Sequence, residues 1–582
     1  MNRTHYISVA LLGLTLTATS CQDFLTILPT DKTVREDYWK TKDDVQQMVT
    51  GSYKYMINQT NIEHMIIWGD FRSDETTLQQ LYTNTDLENI EAINLLPSNS
   101  YNSWRSMYQV INNCNIVLAR APEVRELDPE FTDGDYQVAR AQMLALRSLC
   151  YFYLVRTFRD IPYTTTAFES DDQEMLLAQS APVEVLQHCI DDLNEALPNI
   201  YRTGTFPDGD WRNTGLFTRD AVNALLADIY LWKGSMTHDN ADYQLCVEAA
   251  DRVIDSKDAY YNDNKTGMDM DDNTYHLIDG QEAAYQIFGR GNSSESILEL
   301  QFDGNNNDNT SVKNYYFRNG SGAAHARLVA SSVFGSVDAN MLKGNSGSRV
   351  FATQDDYRFW SSCFGVGNSD ETQFDIRKMV DNSTSFTTKT AMSHSDVTRL
   401  YSYYNQNWIV YRLTDVLLMK AEALTAMSGN DDEQTLSKAF YLVKAVNDRS
   451  LATGSKDSLD FTYYDTKSQM ETLVLQERTR ELCFEGKRWY DLVRYCYRHM
   501  DNVDASRTMY DITQSGASLP ALSSDMVSLV ARKYTSGGDA VGYKMKTEAH
   551  LYFPIAESET KVDPLLNQNP EYVETESIER NN

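Results

Sequence analysis

The sequence predicts a mainly α-helical protein: a scaffold of paired helices that carries an irregular, loop-rich lobe with short strands. Three observations predict it. Apolar residues recur at helical spacing in successive segments over about 101–255 and again over about 405–500. Between about 256 and 404 that period fades, while Gly, Asn, Ser and Asp accumulate. Near the end of the second helical region two segments meet at Gly486, a residue free to take the positive φ that ends one helix before the next begins.

Bulk numbers bound the function classes. At 582 residues the chain holds about three to four core-sized units. Its hydrophobic content of 42% and charged content of 23% are those of an ordinary globular protein. The formal net charge of −31 disfavours nucleic acid and anionic membrane surfaces, which both reward Lys and Arg. It suits a crowded surface and a neutral ligand. Tyrosine is abundant, at 36 residues, and such flat amphipathic rings serve both cores and stacking on sugars or peptides. Of the eight cysteines, Cys21 belongs to the leader. The other seven are odd in number and widely spaced, and predict neither a disulfide framework nor a zinc site.

Residues 1–20 read as an export signal, with Arg3 as the positive start and Ile7 to Ala18 as a short apolar core. That core is too short to span a bilayer. Ala18-Thr19-Ser20 are the small residues before Cys21, and a cysteine at that place predicts a lipoprotein site. Residues 21–37 then form a lipidated tether, and 38–582 the folded domain. Two or three acyl chains suffice for stable attachment.

Helical faces follow. Trp104, Met107, Tyr108, Ile111, Asn115 and Leu118 give the first. Leu146, Leu149, Cys150 and Tyr153 lie in a segment apolar nearly all round, which predicts burial, and Pro162 stops it. Val222, Leu225, Leu226 and Ile229 are followed by Cys246, Ala249, Ala250 and Val253. In the lobe, Ser296 to Phe302 reads as a short strand. Beyond it, Val410, Leu413, Leu417, Ala421 and Leu424 pair with Ala439, Leu442, Val443 and Val446. Two antiparallel helices with a short break, written repeatedly, is the grammar of tetratricopeptide-like scaffolds. Residues 501–582 close the chain.

The run Glu477-Arg-Thr-Arg-Glu-Leu-Cys-Phe-Glu-Gly-Lys-Arg-Trp-Tyr-Asp-Leu-Val-Arg494 is dense in charges of both signs. It reads as an ion-pair network locking a helical corner; the catalytic alternative uses Glu481 or Glu485 as acid or base. The run closely resembles the carboxy-terminal signature of the SusD/RagB family. Cys21-Gln-Asp-Phe-Leu25 resembles the start of that family's mature chains. Arg156 to Pro162 resembles an internal segment, with Arg159 where the family has glycine. Leu551 to Glu559 and Asn567 to Tyr572 resemble its closing segments. The resemblance implies four helical pairs in a right-handed scaffold, covered by the irregular lobe. It also implies a lipid-anchored protein on the outer face of the outer membrane, one that binds glycans or other nutrients and caps a SusC-like, TonB-dependent β-barrel transporter.

Enzyme motifs are absent: there is no H-E-x-x-H and no G-x-S-x-G, and Gly486-Lys487-Arg488 lacks the Ser or Thr of a P-loop. No cofactor is expected. Among 83 acidic residues, sequence alone singles out no carboxylate pair for glycoside hydrolysis. Asp303, Asn305, Asn307 and Asn309 alternate like the first half of a calcium loop but lack the distal Glu, and predict an Asn-rich turn.

The ligand-site expectation rests on aromatics. Tyr315, Tyr316 and Phe317 lie among Lys313, Asn314, Arg318 and Asn319, and an extended chain there turns at least one ring outward. A ring face suits the C–H face of a sugar, and the polar neighbours suit its hydroxyls. The family resemblance places this loop, and the one after Ser73-Asp74-Glu75, in a ligand-binding arc. Tyr82 is the nearest aromatic in the second loop, and Gln80 stands where the family has tryptophan. Asp70 and Arg72 precede it, as polar contacts or as members of an internal salt bridge. Tyr357, Phe359 and Trp360 form a third cluster; Trp68 and Trp104 are assigned to the core. The expected function is non-catalytic binding of an oligosaccharide and its delivery to the transporter. The alternatives are a secreted glycoside hydrolase on a helical scaffold and a peptide- or protein-binding helical-repeat module.

Overall fold

The computed structural model describes residues 38–80, 82–170, 172–263, 275–304, 307–317, 326–335, 348–353, 355–363, 374–386, 397–401, 405–455, 458–534 and 536–573. At 263, 381–386 and 397–401 it describes the backbone alone. The export signal, Cys21 and the tether lie outside the described residues, as do Asn305, Arg318 and Asn319.

The helices that build the scaffold are α1 (Lys42–Met56), α2 (Gln59–Ile66), α3 (Arg105–Leu127), α4 (Asp133–Phe158), α5 (Pro182–Ala196), α6 (Arg219–Thr237) and α7 (Asn240–Asp263). After the lobe, which contains α8 (Thr310–Tyr316), come α9 (Leu413–Met427), α10 (Glu433–Ser450), α11 (Lys467–Leu482) and α12 (Arg488–Arg498). Four short strands matter to the site: β1 (Thr76–Leu78), β2 (Ser296–Leu300), β3 (Leu328–Ala330) and β4 (Trp408–Arg412). β1 pairs antiparallel with β3, and β2 with β4.

Helix starts are set by side chains that satisfy otherwise orphaned N–H groups. Thr41 with Asp44, and Thr466 with Gln469, form reciprocal capping boxes at α1 and α11. Thr132, Thr218 and Asp432 cap α4, α6 and α10. Neighbours in sequence then pack: α3 on α4, α4 on α5, α6 on α7 and α9 on α10, while α7 on α9 joins the two halves across the lobe. From Ala141 to Phe158 every residue of α4 is buried, as its all-round apolar sequence predicts. Trp68 and Trp104 are core residues, and so is the Tyr357, Phe359 and Trp360 cluster, whose rings are at most 4% exposed. The seven cysteines in the described region are buried free thiols.

Arg159, where the family resemblance expects glycine, has φ +66. A side chain in that region costs about 1–2 kcal/mol. Its guanidinium is locked by Glu548 at 2.7 Å, Asp160 at 2.6 Å and the carbonyls of Asp504 and Arg507 at 2.7 and 3.0 Å.

The corner between α11 and α12 is buried ionic architecture. Arg358, Lys378, Arg412, Arg449 and Arg480 face Glu295, Asp356, Glu477, Glu481 and Glu485 at 2.5–2.9 Å. The charges balance one for one. Below them Arg156, Arg478, Lys487, Arg494 and Arg498 meet Asp228, Asp415, Glu422, Glu471 and Asp491, again in balance. Burial alone would push these carboxyls up. For Glu481 the guanidiniums of Arg449, Arg412 and Arg358 outweigh it and hold the group well below the usual range. Lys487 and Arg478 do the same for Asp415, held at about 2. Neither Glu481 nor Glu485 is poised near neutral pH, as a general acid or base would be. Beside Glu481 a cavity of about 20 Å³, lined also by Arg358, Lys378, Arg412 and Arg449, has room for about one water.

Gly486 takes φ +71, as expected, and its partner is Gly69. A Cβ on Gly69 would stand 2.0 Å from the Gly486 carbonyl oxygen. The two backbones touch, so the π-helical turn Ile67–Phe71 is fixed directly against the corner.

Candidate functional site

The β1–β3 ladder builds the site. Thr76, Thr77 and Leu78 pair with Ala330, Val329 and Leu328, which joins the loop after Glu75 to the lobe. The Gln79 N–H donates to the Arg327 carbonyl at 3.0 Å, and the Arg327 N–H to the Asn314 carbonyl at 3.0 Å. The two predicted loops are thereby stitched side by side.

Residues 310–316 are not extended. They form α8, capped by the Asn309 side chain and docked on α2 by Ser311, which donates to the Gln59 carbonyl at 2.9 Å. A helix points neighbouring side chains about 100° apart rather than to opposite faces. Tyr315 and Tyr316 therefore both turn inward and are fully buried. The Tyr315 hydroxyl pairs with that of Tyr101 at 2.6 Å, and the Tyr316 hydroxyl donates to Asp70 at 3.2 Å. Neither ring presents an exposed face for stacking.

Asp70 and Arg72 are also inward. Asp70 accepts from the backbone N–H groups of Gly486, Lys487 and Arg488 at 2.8, 3.1 and 3.5 Å, and so caps α12, which has no cap of its own. Burial pushes its carboxyl up to about 7 against these donors. Nearby Glu75 is also raised well above the usual carboxylate range, first by burial and then by the charge of Asp70. Arg72 lies 4.1 Å over the Trp489 ring and donates to the carbonyls of His550 and Leu551. It makes no salt bridge among the described residues. Both side chains tie elements together and are closed to ligand.

Tyr82 and Phe317 differ. Both are half-buried and flank the joined loops. The Arg327 guanidinium lies 5.7 Å over the Tyr82 ring and 4.7 Å over the Tyr315 ring. Glu63, on α2, stands 3.9 Å from Arg327, with side-chain exposures of 26% and 27%. Burial raises the Glu63 carboxyl and Arg327 opposes it. A partly open ring, a guanidinium fork and a carboxylate, with the exposed amide of Asn314 nearby, offer a stacking face beside donors and acceptors. Arg327 and Glu63 carry no local sequence signal, because only the strand pairing and the seat of α8 on α2 bring them together.

Of the calcium-like run, the Asp303 carboxylate accepts the Asn307 N–H at 2.9 Å, and Asn309 is spent on its cap and on the Gln406 carbonyl. Among the described residues no group of three or more His, Cys, Asp or Glu is placed to hold a metal, and no helix is long and apolar enough to cross a membrane.

Comparison with known proteins places the fold. A model of the SusD family matches residues 361–572, and one described as starch-binding associating with outer membrane matches residues 23–231. SusD-like protein P38 of Formosa agariphila is 24% identical over 501 residues, covering 82% of this chain and 88% of that protein. SusD-like protein P2 of the same organism is 23% identical over 521 residues, with 84% and 90% covered. Among solved structures, a SusD homolog from Bacteroides thetaiotaomicron superposes with a TM-score of 0.65 at 19% identity, covering 92% of this chain and 99% of that one.

Proposed function

The chain belongs to the SusD/RagB family, and from that premise we propose that it is a surface lipoprotein that binds a glycan without catalysis. It hands the oligosaccharide to a SusC-like, TonB-dependent β-barrel transporter in the outer membrane. Acylated Cys21 anchors it, with residues 21–37 as the tether. The observation that carries the reading is the surface where Tyr82, Arg327 and Glu63 meet with Phe317 at its edge, held on the β1–β3 ladder. Such a surface grips a sugar ring weakly enough to release it, which delivery requires. Among the described residues Glu63 is the carboxylate that faces Arg327 there, whereas glycoside hydrolysis uses two about 5–10 Å apart.

Two experiments test it. Native gels cast with neutral polysaccharides are expected to retard the protein without release of reducing ends; reducing ends released at this site refute the binding-only reading. Cys21→Ala is expected to move the protein from the membrane fraction to the soluble one. Continued membrane attachment refutes the anchor.

A further inference from the structure

Of the eight tryptophans, six are buried and Trp39 packs half-buried against the core, but Trp211 stands 50% exposed. Half of a large apolar ring is thus left in water, where burial would have been favourable. The loop that presents it is nevertheless rigid. Asn213 closes residues 206–213: the Phe206 N–H donates to its side-chain oxygen at 3.2 Å, and its amide donates to the carbonyls of Phe206 and Pro207 at 3.1 and 3.0 Å. Arg212 grips Asp210 at 2.6 Å and lies 4.2 Å over the Phe206 ring. Tyr260 donates to Asp208.

The indole rests on a glycine. A Cβ at Gly215 would fall 2.7 Å from a Trp211 ring carbon and 2.6 Å from Cγ of Gln301, so the ring and the Gln301 side chain flank the same backbone position. Next to them lies a row of uncharged polar groups. Gln301 Nε2 donates to Asn292 Oδ1 at 2.8 Å, Asn292 and Asn407 each donate to Gln301 Oε1 at 3.1 Å, and Thr214 donates to Asn292. Buried Glu299 holds the row from beneath, accepting from the Asn407 amide at 2.7 Å and from the Asn292 N–H at 3.0 Å. Asn292, Gln301 and Asn407 are only half-buried.

We propose that Trp211, Gln301 and Asn292 form a second saccharide platform, distinct from the Tyr82–Arg327 surface, that takes a neutral sugar ring. The indole face meets the sugar's C–H face, and the fixed amides meet its hydroxyls. The ligand is neutral because Arg212, beside the indole, is held by Asp210, and the chain's net charge of −31 repels acidic glycans. The proposal rests on the glycan-binding reading above but on different residues.

The test uses the full chain in native gels cast with starch, galactan, xylan or mannan, comparing the native protein, Trp211→Ala and the Tyr82→Ala/Arg327→Ala pair. The polysaccharide that retards the native protein is expected to bind Trp211→Ala at least threefold more weakly. In the native protein it is also expected to reduce acrylamide quenching of tryptophan emission. Trp211→Ala binding like the native protein while the pair loses binding overturns this platform and leaves the first site standing. Loss in Trp211→Ala alone supports the platform and overturns the first site. Retardation by none of the four overturns both.

Discussion

At the α11–α12 corner, Arg412 and Arg449 sit 2.5–2.9 Å from carboxylates and are at most 3% exposed at the side chain. On the rim, Arg327 is 27% exposed, 3.9 Å from Glu63, and lies over the rings of Tyr315 and Tyr82. The residue type is the same and the use is opposite. Where it is paired with carboxylates in the interior, the guanidinium builds architecture, and removing a partner leaves buried charge uncompensated. Where it is half-solvated over a partly open ring, it keeps capacity for an arriving hydroxyl. The motif richest in charge is thus spent on architecture.

The sharpest way to break that contrast is Glu481→Ala. It takes one carboxylate partner from each of three buried guanidiniums and unbalances the cluster by one charge, and a loss of about 3–5 kcal/mol in urea unfolding is expected, with glycan affinity of the folded fraction unchanged. Lost affinity at preserved stability would reverse the assignment. Gly69→Ala comes next: overpacking against Gly486 is expected to cost about 1–3 kcal/mol, again without a change in affinity.

pH separates the corner from the neighbouring turn at about 1.4 kcal/mol per pH unit for each proton. Asp415 and Glu471 titrate at about 2, below their unfolded values, so their stabilisation is present above about pH 4.5 and is lost as pH falls toward 2. Asp70 titrates at about 7, above its unfolded value, so its contribution is present below about pH 4 and is lost as pH rises through 7. Unfolding free energies from pH 2 to 8 are expected to fall at both ends. Asp70→Asn is expected to flatten the upper decline, and an unaltered decline would contradict the titration assigned to Asp70. The smallest effect belongs to the rim: Tyr82→Ala is expected to weaken glycan binding by about 1 kcal/mol, the low end for ring stacking. Its stability is expected to stay within about 0.5 kcal/mol of native, as for a surface change.

The scaffold was legible because its helices carry long apolar faces. Leu417, Ala421 and Leu424 announce α9 without any knowledge of partners. Gly486 announced its own backbone conformation, and the mixed charges around it announced ion pairing. The site was less legible. Seven residues make α8, too few for a periodic signal, and its helicity comes from the Asn309 cap and the seat on α2. Asp70 resembled a ligand contact because nothing local shows that it caps a helix more than 400 positions later. Arg327 and Glu63 meet only through long-range contacts, and Trp211 meets Gln301 only through the packing of both on Gly215. The two predicted loops do converge, but it is Tyr82 and Phe317, not Tyr315 and Tyr316, that reach the surface.

The measurement that bears most directly on the account is glycan affinity and thermal stability of Tyr82→Ala/Arg327→Ala, taken side by side on the full chain. Retardation in the polysaccharide gel reduced at least tenfold, with a melting temperature within about 2 °C of native, is the predicted result. Full affinity, or a protein that loses its fold along with its ligand, would contradict the division between a corner that holds and a rim that binds.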